Sequence, residues 1–271
     1  MGWHTTTDVD RFLARVGPFL RSDPLTHHLL LTEADFWSRA GDPGGAASFG
    51  WSRDGARVDG AWLHLPDHSV VCSRLAPSAA ASLLSAVPTG IPIGVDARDL
   101  GLLDRPAVPA TEAASVLARI EVLRLGDPSA SGWNRSRPLG AARLADRDDL
   151  SLLHSWFEQF RRQHPDDTSS VEFVIDHPVD ERGLVLWESE GRPVAMASRT
   201  SLISDVVRLG LVYQPEPGPT YAEAALDAAC LAASRAATHV LAFSGSAVTT
   251  ASYLSRGFEL LSERVVLVPP T

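Results

Sequence analysis

Apolar residues at the start of the chain recur at helical spacing. Val9, Phe12, Leu13, Val16, Phe19 and Leu20 form one stripe; Leu25, Leu29, Leu30, Phe36 and Trp37 form a second. Side chains three or four positions apart share one helix face, so the spacing predicts helix over 8–39. A break is expected at Gly17-Pro18, and a fresh start at Pro24 behind an Asp23 N-cap. After the polar loop GDPGGAAS the period drops to two. Apolar and aromatic runs flank Asp54-Gly55 in ASFGWSRDGARVDGAWLHLPDHSVVCSRL, which predicts a hairpin and a third strand. The stretches 79–87 and 111–122 read as short helices. Then the sequence of elements recurs: a short strand at Arg143, a helix over 148–164 with Leu150, Leu153, Trp156, Phe157 and Phe160 on one face, and a hairpin in GLVLWESEGRPVAMASRTS. Asp166, Asp167 and Asp176, with His164 and His177, read as a polar loop between the two.

The recurrence extends to single residues. Trp51, Gly55, Val58 and Ala61 have the same mutual spacing as Trp187, Gly191, Val194 and Ala197. Repeated spacing and repeated element order together point to an internal duplication. The Pro-, Gly- and Asp-rich run 126–138 has no period and marks the expected boundary. The expected domains are 1–130 and 138–271, each α/β with a mixed sheet.

One stretch of the second half, VVRLGLVYQPEPGPTYAEAALDAACL over 206–231, couples a β-branched strand to an alanine-rich helix through a Pro/Gly turn. Orphan N–H groups and the helix dipole make such a helix start an anion cradle. These residues resemble the cofactor-binding core of the GNAT acyltransferases. Val212, Tyr213 and Pro215 match a strand ending V-Y-x-P; Gly218, Tyr221 and Ala222 match the loop R-G-x-G-Y-A that opens the helix. Pro217 stands where the loop Arg or Gln is expected, and Thr220 replaces the second glycine. Downstream, Tyr253, Gly257 and Phe258 match Y-x-x-x-G-F, while Ser246 and Thr250 replace two asparagines. The resemblance covers almost the whole chain and implies a tandem GNAT architecture. The first half has LAPSAAASLL where the loop would fall, so it is expected to be a pseudo-domain without cofactor.

The resemblance also implies a chemistry. Acetyl-CoA or another acyl-CoA would be held by backbone at Val212, Tyr213 and Gln214, by the turn at Gly218, Thr220, Tyr221 and Ala222, and by Thr250. Tyr253 would protonate the departing thiolate, and Glu172 would take a proton from a small-molecule or amino-acid-like amine. Glu216 and Asp205 are rival bases. Two alternatives stay open: a GNAT-fold enzyme using no acetyl-CoA, including aminoacyl-tRNA-dependent transfer, and a non-catalytic binding protein.

Composition narrows these readings. The net charge is −9 and all 24 basic residues are arginine. The missing lysine excludes lysine Schiff-base catalysis, and the acidity argues against a nucleic-acid partner. Cys72 and Cys230 lie far apart in apolar surroundings, as buried free thiols do. The histidines have no metal-ligand spacing, so no metal is expected. No run reaches the ~18 apolar residues of a membrane span, and a cytoplasmic location is expected.

Overall fold

The computed structural model describes residues 2–41, 47–103, 115–127, 138–218 and 220–268. Most of the expected boundary run, the centre of the GDPGGAAS loop and Pro219 lie outside them. The chain divides into two units: Met1–Val122 with Ser244–Ala247 and Leu260–Thr271, and Leu123–Phe243 with Val248–Glu259.

The first unit runs β1 (Gly2–Thr6), α1 (Val9–Arg21), α2 (Pro24–Ala40), β2 (Ser48–Asp54), β3 (Arg57–His64), β4 (Val70–Cys72), α3 (Pro77–Ala80), β5 (Ile93–Asp96) and α4 (Leu100–Leu103). β6 (Ser115–Leu125) begins in this unit and ends in the second. The second continues with β7 (Ala141–Leu144), α5 (Leu150–Gln163), α6 (His177–Asp180), β8 (Leu184–Ser189), β9 (Arg192–Arg199), β10 (Val206–Tyr213), α7 (Tyr221–Ala236), β11 (His239–Ser244), α8 (Ala247–Leu254) and β12 (Phe258–Val268). From Leu260 onward, β12 belongs to the first unit.

Each unit has the same strand order. In the first, β1-β2-β3-β4 are antiparallel neighbours, β4 and β5 run parallel, and β12 lies on the far side of β5. In the second, β7-β8-β9-β10 are antiparallel neighbours, β10 and β11 run parallel, and β6 lies beyond β11. In the first unit the place beside the fifth strand is filled by Arg264–Leu267 of β12.

Alternation along β8 gives the second unit its two cores. Val185 and Trp187 join α7 residues Ala225, Ala229 and Ala233 on one face. Leu184 and Leu186 join Leu153, Trp156 and Phe157 of α5 on the other. Small residues on α7 let that helix lie close to the sheet. In the first unit Trp62, Leu83, Ile93 and Val95 form the corresponding core.

Several expectations are corrected. Helix α1 passes through Gly17-Pro18 and ends at Arg21. Pro18 forfeits only its bond to Ala14, and both residues lie on the solvated face, where water serves the freed carbonyl. The second helix starts as expected, with the Asp23 carboxylate accepting from the Thr26 N–H at 3.3 Å. The 111–122 stretch is not a helix where it is described: Ser115–Leu125 is strand β6. Its partners in the sheet outweigh the helical preference of its Ala, Leu, Arg and Glu. The 79–87 helix breaks into α3 and a 3₁₀ turn at Leu83–Ser85. The β2–β3 loop is centred on Gly55-Ala56, since Asp54 pairs with Arg57. Asp176 ends a π-helical turn, Glu172–Asp176, and His177 begins α6, so neither lies in a loop.

Candidate active site

Strand β10 has two unlike edges. Along β9 it pairs at Leu209↔Arg199, Val212↔Ala197 and Tyr213↔Met196, with a bulge between Leu209 and Val212. Gly210 occupies the bulge because a Cβ there would sit 2.6 Å from Ser198 Oγ. That hydroxyl accepts from the Leu211 N–H at 3.0 Å, satisfying a group the bulge displaces. Along β11 the parallel register covers Val206↔His239, Val207↔Val240 and Arg208↔Leu241. β10 then continues to Tyr213 and β11 to Ser244 without further paired residues among those described. The result is a fork that opens beyond Arg208 and Leu241.

The fork leads to the start of α7. There the Gln214 side chain, half-buried, closes the turn on itself. Its Oε1 accepts from the Ala222 N–H at 2.9 Å, and its Nε2 donates to the Glu216 carbonyl at 2.7 Å. Thr220 holds the N-cap position without a side-chain capping bond, so Gln214 supplies the cap from six residues upstream. Gly218 is exposed and does not take the left-handed conformation. A Cβ built on it would lie 3.9 Å from Gln214 Nε2, an ordinary contact. Tyr221 packs against the core and its hydroxyl donates to Ser189 Oγ at 3.3 Å.

Tyr253 approaches from α8. It is 5% exposed and its ring lies 5.1 Å from that of Phe258. Burial, more than any neighbouring charge, pushes the phenol up to about 12. It therefore stays protonated through the neutral range, the form a proton donor needs. No described residue hydrogen-bonds its hydroxyl. Arg208, the last β10 residue in register with β11, lies over the Phe243 ring at 4.9 Å and acts on the Tyr253 phenol electrostatically.

The other expected site residues divide. Val212 packs against the α7-side core. Tyr213 turns to the opposite face, edge-on to Phe160 at 6.0 Å, and its buried hydroxyl has no hydrogen-bond partner among the described residues. Thr250 is half-buried on α8. Glu172 is exposed at the first position of the π-helical turn. Asp205 lies at the opposite end of β10, roughly 25 Å along the strand from Tyr213 at ~3.3 Å per residue. The fork thus brings Val212, Tyr213, Gln214, Tyr221 and Ala222 together; Asp205 stands apart. Sequence reasoning missed the Gln214 side chain, Arg208 and a buried arginine, Arg256. A lone glutamine or arginine carries no spacing signal, although Arg256 is flanked by the recognised Tyr253 and Gly257.

The equivalent position in the first unit is filled from within. β4 and β5 pair at Val70↔Ile93 and Val71↔Gly94. Just beyond, the fully buried Asp99 accepts from the Leu75 N–H at 2.9 Å and from Arg74 Nε at 2.8 Å. The buried Arg264 guanidinium donates to the Cys72 and Gly94 carbonyls, both at 3.0 Å. Backbone groups that a ligand could use already have partners.

A strand order repeated along one chain, with a forked parallel pair leading into a helix start in the second unit, resembles the GNAT arrangement, and comparison with solved structures agrees. A GNAT-family acetyltransferase from Colwellia psychrerythraea superposes with a TM-score of 0.62 at 12% identity, covering 100% of both chains. A GCN5-related N-acetyltransferase from Sphaerobacter thermophilus gives 0.57 at 15% identity, covering 99% of this chain and 96% of its own. A tandem GNAT protein from the clavulanic acid biosynthesis pathway gives 0.51 at 14%, again covering 100% of both. A scan against protein-family models finds no match, and neither does a search of curated proteins. The chain has the tandem GNAT fold, a mixed α/β architecture. Among the described residues no helix is long and apolar enough to cross a membrane.

Proposed function

We propose that this protein is an acyl-CoA-dependent N-acyltransferase that acts on a small-molecule or amino-acid-like amine. The observation that carries this reading is the fork beyond Arg208, which opens onto the α7 N-terminus. When bound, acyl-CoA supplies a thioester activated towards attack by an amine. Backbone at Val212, Tyr213 and Gln214 would hold the acyl and pantetheine portions, with N–H groups available to a developing oxyanion. The turn from Gly218 to Ala222 would take the pyrophosphate on the first-turn amides. Thr250 would steady the pantetheine. Tyr253 would deliver a proton to the sulfur, and Glu172 would take one from the amine.

The residues fit this cofactor on one condition: the Gln214 amide must leave the Ala222 N–H. That same bond favours a second reading, a GNAT-fold protein that uses no CoA or only binds a ligand. The two halves, 1–130 and 138–271, are best explained as a duplication in which only the second retained a cofactor site. Asp99 and Arg264 support that division of labour. Titration calorimetry with acetyl-CoA and with free CoA decides between the readings. Micromolar binding to the intact chain is expected; no heat up to millimolar cofactor would replace the first reading with the second.

A further inference from the structure

Arg256 has no part in the transfer just described, yet it is 8% exposed and fully engaged. Its Nε donates to Asp227 Oδ1 at 2.7 Å, and a terminal nitrogen donates to Glu223, both on α7. The other terminal nitrogen donates to the Ser252 carbonyl at 2.8 Å and the Ser252 hydroxyl at 2.6 Å, on α8. Its backbone N–H donates to the Tyr253 carbonyl at 2.9 Å. One side chain therefore ties the first two turns of α7 to the turn that carries Tyr253. Gly257, with φ of +83°, then redirects the chain so that Phe258 packs on the tyrosine ring. Burial acts to lower the pKa of the guanidinium, but the bonds to Glu223 and Asp227 raise it overall and keep the charge fixed.

We propose that Arg256 is a positioning residue for proton delivery by Tyr253, a role that rests on the acyl-transfer reading: its guanidinium locks the Tyr253 turn onto α7 and keeps a positive charge near the phenol. Tyr253 yields its proton to the departing sulfur as the carbon–nitrogen bond forms and the carbon–sulfur bond breaks. The ammonium form of the substrate sheds two protons in all: Glu172 takes one before attack, and the other, released as the amide forms, restores the phenol. A phenol that gives up a proton develops negative charge, and a fixed cation favours that change. Four groups bear on it: Glu223 and Cys230 from α7 oppose ionisation, whereas Arg208 from β10 and Arg256 favour it. Arg256 also holds Glu223 in an ion pair, offsetting an acidic charge in the first turn of α7.

The chain contains three tyrosines, Tyr213, Tyr221 and Tyr253, so Tyr213→Phe with Tyr221→Phe leaves Tyr253 alone. Grown with 3-fluorotyrosine, that protein reports the Tyr253 phenol by fluorine NMR across a pH titration. Arg256→Met is expected to raise the midpoint by about one unit, and Arg256→Lys to restore most of the shift. With acetyl-CoA and an accepted amine, Arg256→Met in the otherwise natural chain is expected to lower kcat with KM for acetyl-CoA little changed. Should Arg256→Met fail to fold, Arg256→Met with Glu223→Gln and Asp227→Asn removes the stranded carboxylates. Its midpoint is still expected above the parent, because Arg256 acts on the phenol more strongly than Glu223 does. An unmoved midpoint in a folded variant, or failure of the charge-neutral triple variant to fold, overturns the proposal. A shifted midpoint with unchanged kcat leaves the electrostatic coupling standing and removes Tyr253 as the acid; absence of acetyl-CoA binding sinks the acyl-transfer reading without touching the titration.

Discussion

Gln214 offers the sharpest test of the candidate site, because loss of its side chain should move stability and affinity in opposite directions. Gln214→Ala removes the bond from Oε1 to the Ala222 N–H and the bond from Nε2 to the Glu216 carbonyl. The second is solvent-exposed and adds little. The first serves as an N-cap, and replacing a capping side chain by alanine costs about 1 kcal/mol. Tm should fall by about 2–4 °C for a unit of this size. An anion seated on the α7 amides must displace the same bond, so the natural protein binds CoA more weakly by the same ~1 kcal/mol, a factor of about five in Kd. The expected result is a Gln214→Ala protein with lower Tm and about fivefold tighter CoA binding by calorimetry. Pantetheine, which has no pyrophosphate, should bind both proteins alike. Weaker CoA binding by the variant would make Gln214 a ligand contact and refute the competition. An equal gain for pantetheine would place the effect elsewhere in the fork.

Three further outcomes are expected. Tyr253→Phe keeps the ring against Phe258 but removes the proton, so kcat should fall by roughly 10²–10⁴-fold with acetyl-CoA binding and Tm unchanged; a fully active variant excludes the role. Asp149, through its bonds to Arg143, has a carboxyl held below its ordinary range. A depressed carboxyl stabilises above its unfolded value of ~3.9 and loses that contribution as pH falls through the folded value. The gap in urea midpoint between the natural protein and Asp149→Asn should therefore be present at neutral pH and close on acidification; a pH-independent gap contradicts the linkage. Asp99→Ala strands the buried Leu75 N–H and one face of Arg74, at a cost of about 1–3 kcal/mol. Chemical denaturation should register that loss, while calorimetry finds CoA affinity unchanged; altered affinity would mean the first unit takes part in binding.

Much of the architecture could be read from periodicity. The stripe through Phe12, Val16 and Leu20 and the Asp23-Pro24 start gave α1 and α2 because a helix buries one face and caps its own end. Glu190-Gly191, both with positive φ (53° and 74°), closes the second hairpin where the run of apolar residues pauses. β6 was misread although its signal was present: Val116, Ala118, Ile120 and Val122 alternate with Leu117, Arg119 and Glu121, a period of two hidden by helix-favouring residue types. The site was legible only where backbone geometry made it. Tyr253 and the turn before α7 stood out because a turn and a helix start constrain sequence. The Gln214 cap and the Arg256 bonds join residues whose partners are fixed by the tertiary fold, and no local pattern encodes them.

The placement of β12 beside β5 has a consequence for synthesis. The antiparallel partner of Ile93–Asp96 is Arg264–Leu267, so a nascent first half leaves the ribosome with a hydrogen-bonding row exposed. At ordinary elongation rates of ~5–20 residues per second, that row waits roughly 10–30 s for its mate. Unprotected edges of this kind recruit other chains. Separating the halves at the midpoint would make the wait permanent, and the N-terminal fragment should aggregate unless a peptide spanning the last strand is supplied with it.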